Sequence, residues 1–278
     1  MANFTITGFA DEISANFDEQ IEGLKKLGIG YIEPRGIDGK NISALTEEEA
    51  KAVKAKLDAA GIKVSSIGSP IGKIGINDDF EAHKKLLLNV IKVAKILDTK
   101  YIRVFSFFVP AGKAADYKEK VLSQFKELVD IAEANGVVLL HENEKDIYGD
   151  IADRCMDIVN YIDSPAFGVV FDPANFVQCG EDTKRAFELL KNHITYMHIK
   201  DSRKDCTVVP AGYGEGNVPF ILNSLKEMGY EGFTSLEPHL GSFEGLAELE
   251  NSDLVKKLPK SGFDTFEIAY NALCKIIK

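Results

Sequence analysis

The chain of 278 residues has no CxxC pair, no GxGxxG turn after its first β-run, and no apolar run approaching the ~18 residues of a membrane span. Each absence removes a class of protein. Its four cysteines (Cys155, Cys179, Cys206, Cys274) are scattered, which argues against a thiolate zinc site and against a disulfide framework. They read as reduced, mostly structural thiols. Cys179 alone follows a strand toward the expected active-site mouth. Without the glycine-rich turn, a dinucleotide-binding doubly wound sheet loses its main support. Positive charge is also short: 33 Lys and Arg face 43 Asp and Glu, for a formal charge of −10. That balance opposes nonspecific binding to nucleic acid or anionic lipid, so neither is an expected partner. MANFTITG lacks the basic start and long apolar run of a signal peptide, and a cytoplasmic location is expected. What is present is a composition of 45% hydrophobic and 27% charged residues, suited to a globular protein with a substantial core.

Strand-like and helix-like runs alternate throughout. TITGFAD is the first β-run, and NFDEQIEGLKKLG the first helix, with Ser14 as cap and Gly28 as stop. YIEPR precedes TEEEAKAVKAKLDAAG, where Thr46, an acidic first turn and a trailing glycine punctuate a helix. KVSSIGSP, YIRVFSFF, VVLLHENE, FGVVFDP, ITYMHIKD and FTSLEPH continue the series, each with a helical segment behind it. About eight βα units without a linker predict the α/β class and a single (β/α)8 TIM barrel over residues 1–278. A doubly wound open sheet is the alternative. The segment at about 241–262 is longer than an ordinary βα loop and reads as a lid or a subunit contact, which leaves a homo-oligomer open.

Four of the β-runs end in a charged or imidazole side chain: Glu142, Asp172, His198 and Glu237. Active sites of such barrels lie at the C-terminal ends of the strands, so the four are expected around one mouth. Each has a bland reading by itself; Asp172 in DPAN could simply cap a helix, and His198 could be a satisfied core histidine. Together, three carboxylates and one imidazole are tolerable only around a cation. The oxygen-rich set suits one divalent metal ion, manganese first, with magnesium, cobalt or zinc behind it. Such an ion would stabilise an enediolate formed from a sugar carbonyl and its neighbouring hydroxyl, while Glu142 and Glu237 move protons on the two faces.

These residues resemble the xylose isomerase-like TIM barrel superfamily in its sugar-phosphate isomerase/epimerase branch, typified by D-tagatose 3-epimerase and hydroxypyruvate isomerase. The resemblance rests on HENE, FDPAN, MHIKD and SLEPH, with the glycine-rich VPAGYGEGNV between the last two, and covers essentially the whole chain. It implies that Glu142, Asp172, His198 and Glu237 bind one divalent metal and that the two glutamates carry the proton transfers. It is specific for the superfamily and weak for substrate, since members include epimerases, aldose–ketose isomerases, dehydratases and DNA-repair endonucleases.

Strand alternation supplies further candidates. Glu33 and Arg35, Arg103, Glu144, Lys200 and His239 fall where a polar substrate needs donors and acceptors, and Lys73 in the SPIGK loop could reach it. For Glu33 and Arg35 a salt bridge between neighbouring strands is an equal alternative. Asn175 follows Asp172 by three, at the site edge in the family. Asp201 follows His198 by three and is read either as an acceptor that orients the imidazole or as a surface group. His141 should face outward, and FSFF offers either an apolar wall or core packing. AGYGEGNVPF invites a phosphate cradle, although Glu215 would repel phosphate and Asn217 before Val-Pro reads as a helix cap.

A metal-dependent epimerase or aldose–ketose isomerase acting on a small carbohydrate is therefore the leading expectation. A metal-dependent lyase or dehydratase on a keto-sugar, inosose or 3-keto-glycoside shares its first step. A non-catalytic sugar-binding barrel is a minor third. The endonuclease branch uses several zinc ions and many histidines, and this chain has five histidines in all.

Overall fold

The computed structural model describes residues 3–240 and 261–278. The expected insertion at 241–262 falls, apart from its last two residues, outside the described residues. Eight parallel strands carry the frame: β1 (Asn3–Gly8), β2 (Tyr31–Ile32), β3 (Lys63–Val64), β4 (Tyr101–Val104), β5 (Val138–Glu142), β6 (Phe167–Phe171), β7 (Ile194–Ile199) and β8 (Glu231–Leu236). Six form one parallel sheet in the order β1-β8-β7-β6-β5-β4, and β2 pairs with β3 in a separate parallel pair. Backbone bonds just past these short strands tie the pair to both sheet edges: Glu33 N donates to Gly8 O at 3.0 Å, while Ile67 N donates to Tyr101 O and Ile67 O accepts from Arg103 N, each at 2.9 Å.

The intervening helices start and stop where their end residues dictate. In α1 (Phe17–Lys26) the N-cap is Asn16, whose side chain accepts from Glu19 N. Ser14, the expected cap, instead accepts from Asn16 N one turn earlier. Helix α2 (Glu47–Ala60) opens with a full capping box between Thr46 and Glu49 and closes on Gly61 at φ 70°. Helices α3 (Phe80–Ile96) and α4 (Ala114–Ala134) bury one face each, through Val90, Ile91 and Ala94 and through Leu122, Phe125 and Val129, in the same core as Ile102 and Leu139. No helix among the described residues is long and apolar enough to cross a membrane.

The period-two alternation of the strands decides what lies inside. Leu140, Val170 and Tyr196 form a small buried cluster of their own, with Phe233 packed against it. Each stands two residues before a β-run's terminal polar side chain: Leu140 before Glu142, Val170 before Asp172, Tyr196 before His198. An inner apolar floor and a charged layer above it thus come from one register. His141, between two inward residues, points the other way, against the Phe125 ring of α4 with its Nε2 3.0 Å from Ser106 Oγ.

Candidate metal centre

Glu142, Asp172, His198 and Glu237 come together at the C-terminal ends of β5 to β8. All four are buried, and one ligand atom from each lies within 4.8 Å of every other. The nitrogen His198 Nδ1 stands 2.8 Å from Glu142 Oε1 and 3.6 Å from Glu237 Oε2. Asp172 does cap a helix and also reaches the cluster. Its Oδ1 accepts from Asn175 N at 3.0 Å, capping the short helix Pro173–Gln178, while Oδ2 faces Lys200.

Each glutamate has one oxygen pinned and one presented to the centre. Arg103 donates to Glu142 Oε2 at 3.0 Å, leaving Oε1 toward His198. Arg35 donates to Glu237 Oε1 at 3.1 Å, leaving Oε2 beside Lys200 and His198. Asn175 Nδ2 steadies Glu142 Oε1 at 3.3 Å, and the Lys200 ammonium is buried 3.1 Å from both Asp172 Oδ2 and Glu237 Oε2. The Lys200–Asp172 contact is an ion pair at a poor hydrogen-bond angle, so Asp172 Oδ2 keeps an unmet acceptor.

The electrostatics follow from this pairing. Burial alone would raise the Glu142 carboxyl, but His198 and then Arg103 bring it down to about 2. Glu237 likewise lies well below the usual carboxylate range, burial being outweighed by Lys200, His239, His198 and Arg35. At Asp172 burial prevails over Lys200 and lifts the carboxyl to about 6. Burial depresses the His198 imidazole, yet Glu142 and Glu33 carry it up to about 10. Both glutamates are thus ionised at neutral pH, the state a base needs. Asp172 is the carboxylate whose charge the protein compensates least. A divalent cation fits this donor set of hard oxygens and one imidazole nitrogen, gathered closely enough to share one ion.

The other expected site residues divide between rim and interior. Lys73 Nζ pairs with Glu144 at 3.2 Å and lies over the Phe105 ring. His239 sits between Glu12 and Glu237, and the exposed edge of Arg35 lies beside them. Arg35 does make salt bridges, with Glu237 at 3.1 Å and also with Asp11 at 2.9 Å and Glu12 at 3.3 Å, two residues of the 3-10 turn Ala10–Glu12 after β1 that the sequence reading had not drawn in. Asn143 is another residue not foreseen: its side chain exchanges two hydrogen bonds of 2.9 Å with the Asp172 backbone. Within FSFF, Phe105 and Phe107 are buried and Phe108 is partly exposed.

Three expectations are corrected. Asp201 does not orient His198: it accepts from Ser202, Gly212, Gly214 and Gly216 backbone amides at 2.8–3.0 Å, while both His198 nitrogens face other carboxylates. Three residues along an extended chain put it on the opposite face. The same bonds dispose of the phosphate cradle, because the glycine amides already enclose a carboxylate. Asn217 does stand at the N-cap position of the helix Val218–Glu227, as expected, but its side chain accepts from no helix amide; at φ 53° its amide goes to Thr183 Oγ1 and Glu215 O. Gly214→Ala would place a Cβ 2.3 Å from Asp201 Oδ1. It is expected to cost ~1–3 kcal/mol, measurable as a lowered denaturation midpoint. Glu33, expected at the substrate, is fully buried beneath His198 and accepts from Tyr196 OH at 2.8 Å.

A family model described as the xylose isomerase-like TIM barrel matches residues 21–258. The chain belongs to this family. Among curated relatives, an uncharacterised protein of Methanocaldococcus jannaschii is 24% identical over 225 residues, 76% of this chain and 71% of that protein. The solved structure of the probable 3-DHS dehydratase AsbF of Bacillus anthracis superposes with a TM-score of 0.75 at 16% identity, covering 99% of each chain. D-psicose 3-epimerase of Clostridium cellulolyticum H10 superposes with a TM-score of 0.74 at 17% identity, covering 99% of this chain and all of the other. The family resemblance read from four strand ends is thereby borne out. At these identities the two solved structures speak for the fold alone. Within the family, epimerases and dehydratases share the frame.

Proposed function

We propose that the protein is a divalent-metal-dependent sugar isomerase or epimerase that transfers protons on carbon beside the carbonyl of a ketose or related carbohydrate. The observation that carries this reading is the pair of glutamates at the two ends of an arc of four strands. Each offers one ionised oxygen to the centre and has the other held by an arginine. The reading takes the six-stranded sheet and the β2–β3 pair as one closed (β/α)8 barrel, supported by the backbone bonds at both seams.

Glu142, Asp172, His198 and Glu237 would hold the ion, manganese first among manganese, magnesium, cobalt and zinc; when bound, it supplies positive charge beside the oxygens of the forming enediolate. Glu142 takes the proton from carbon on one face and becomes the acid, while Glu237, protonated from solvent before substrate closes the site, gives its proton to the other face and is left ionised; exchange with solvent after product leaves resets both. Arg103 and Arg35 keep the two carboxylates in place through that exchange, and burial excludes water that would otherwise compete for the proton. At the rim Lys73, Glu144, His239 and the exposed edge of Arg35 offer donors and acceptors to hydroxyl groups.

A second reading, a lyase or dehydratase on a keto-sugar, inosose or 3-keto-glycoside, is favoured by Lys200. Its buried ammonium, 3.1 Å from Glu237 Oε2 and held charged by Asp172 and Glu237, would place a fixed positive charge beside a departing oxygen after the same first proton abstraction. An NMR screen in D₂O with manganese against ketoses, keto-acids, inososes and 3-keto-glycosides separates the two. Deuterium uptake without a new double bond supports the first reading, and loss of water or an aglycone the second. No exchange with any of these classes overturns both.

A further inference from the structure

Beneath the metal centre lies a chain of buried polar groups where such barrels usually hold branched apolar side chains. Thr7 Oγ1 is 2.8 Å from Ser65 Oγ, which is 2.9 Å from Tyr196 OH, which in turn donates to Glu33 Oε2 at 2.8 Å. Thr7, Ser65, Tyr196 and Glu33 are all buried, the last fully. The Tyr196 proton goes to Glu33, while the single proton of Ser65 has two acceptors within reach, Tyr196 OH at 2.9 Å and Ile32 O at 3.1 Å. Above it, His198 turns Nδ1 to the carboxylates of the centre and Nε2 to Glu33 Oε2, 3.4 Å away. Neither Nε2 nor Glu33 Oε1 has a hydrogen-bond partner of its own in the structure. A buried imidazole N–H and a buried carboxylate oxygen without partners each carry a cost that a small ring rotation would remove.

We infer that Glu33, held by Tyr196, is the positioning residue of the metal centre: it takes the Nε2–H of His198 and aims Nδ1 at the centre, so that Nδ1, on giving up its proton to a bound ion, meets that ion with its lone pair, and so Glu33 sets the affinity for the ion. The inference rests on the metal-centre reading above. It assigns to β2 a task separate from substrate contact, because Glu33 is sealed from the mouth. Outer carboxylates of this kind are worth roughly 10–100-fold in metal affinity.

Glu33→Gln keeps the shape but has a single acceptor oxygen. That oxygen can still accept from both Tyr196 OH and His198 Nε2–H, as Oε2 is placed to do, but it carries no negative charge, and an NH₂ donor stands where Oε1 would receive the rotated imidazole. Manganese titration of the full chain is expected to give a dissociation constant raised by ~10–100-fold in Glu33→Gln and by a smaller factor in Tyr196→Phe. Thr7→Val, at the far end of the chain, should leave it unchanged. In cobalt-substituted protein, the shifted imidazole N–H resonance of His198 should persist in D₂O in the wild type and exchange away rapidly in Glu33→Gln. A merely structural Glu33 would lower the melting temperature and move neither readout. Should Glu33→Gln fail to fold, Tyr196→Phe carries the test. Wild-type manganese binding with an unchanged constant in the folded variants overturns this inference alone. A wild-type chain that binds no manganese overturns it together with the metal-centre reading.

Discussion

Glu237→Gln is expected to lower turnover by ~10²–10⁴-fold at saturating manganese, the usual worth of a positioned general base. Gln keeps an oxygen toward the centre but no longer takes a proton. Arg35 also loses the ionised partner that it holds at 3.1 Å. Glu142→Gln should fall by a comparable factor, with Arg103 as the stranded cation. In a two-base mechanism the two variants differ in what survives. Each should still wash deuterium into the epimer whose proton the remaining glutamate reaches, and into no other. Metal content measured alongside shows whether either loss is simply one of ion binding. Exchange at the wild-type rate on both epimers in either variant would remove that glutamate from the proton-transfer pair.

Asp172 allows its two roles to be separated. Asp172→Ala removes the oxygen that caps Pro173–Gln178 as well as the one that faces Lys200. The expected result is complete loss of tightly bound manganese together with ~1 kcal/mol of stability, the usual value of an N-cap. Asp172→Asn caps equally well but carries no charge. It should lose the metal by the same assay while the cap contribution survives in chemical denaturation. Full manganese occupancy in Asp172→Asn would mean that this carboxylate serves the helix and not the ion.

Much of the frame was legible because apolar runs of period two alternate with amphipathic segments, and because capping residues such as Thr46 and Gly61 announce themselves. The gathering of Glu142, Asp172, His198 and Glu237 was legible for a related reason. Each ends a buried run, and strand ends in this fold meet at one mouth. What escaped was depth. Alternation placed Glu33 on the inward face of β2 but could not tell a mouth residue from one beneath the imidazole, since β2 is only two residues long and Glu33 lies just past it. Asp201 escaped because a spacing of three was read as proximity, whereas an extended chain sends that side chain to the opposite face. The glycines it gathers looked like a phosphate loop for the same reason that they fit a carboxylate: both are anions met by backbone amides. Asp11 and Glu12 escaped because nothing local says that a loop after β1 will fold over to hold Arg35.

The most direct test of the account is the metal content of the wild-type chain after equilibration with saturating manganese, with the ion located by anomalous scattering. One ion per chain, placed among Glu142, Asp172, His198 and Glu237, is the predicted result. A chain that carries no ion, or carries it elsewhere, would contradict the account.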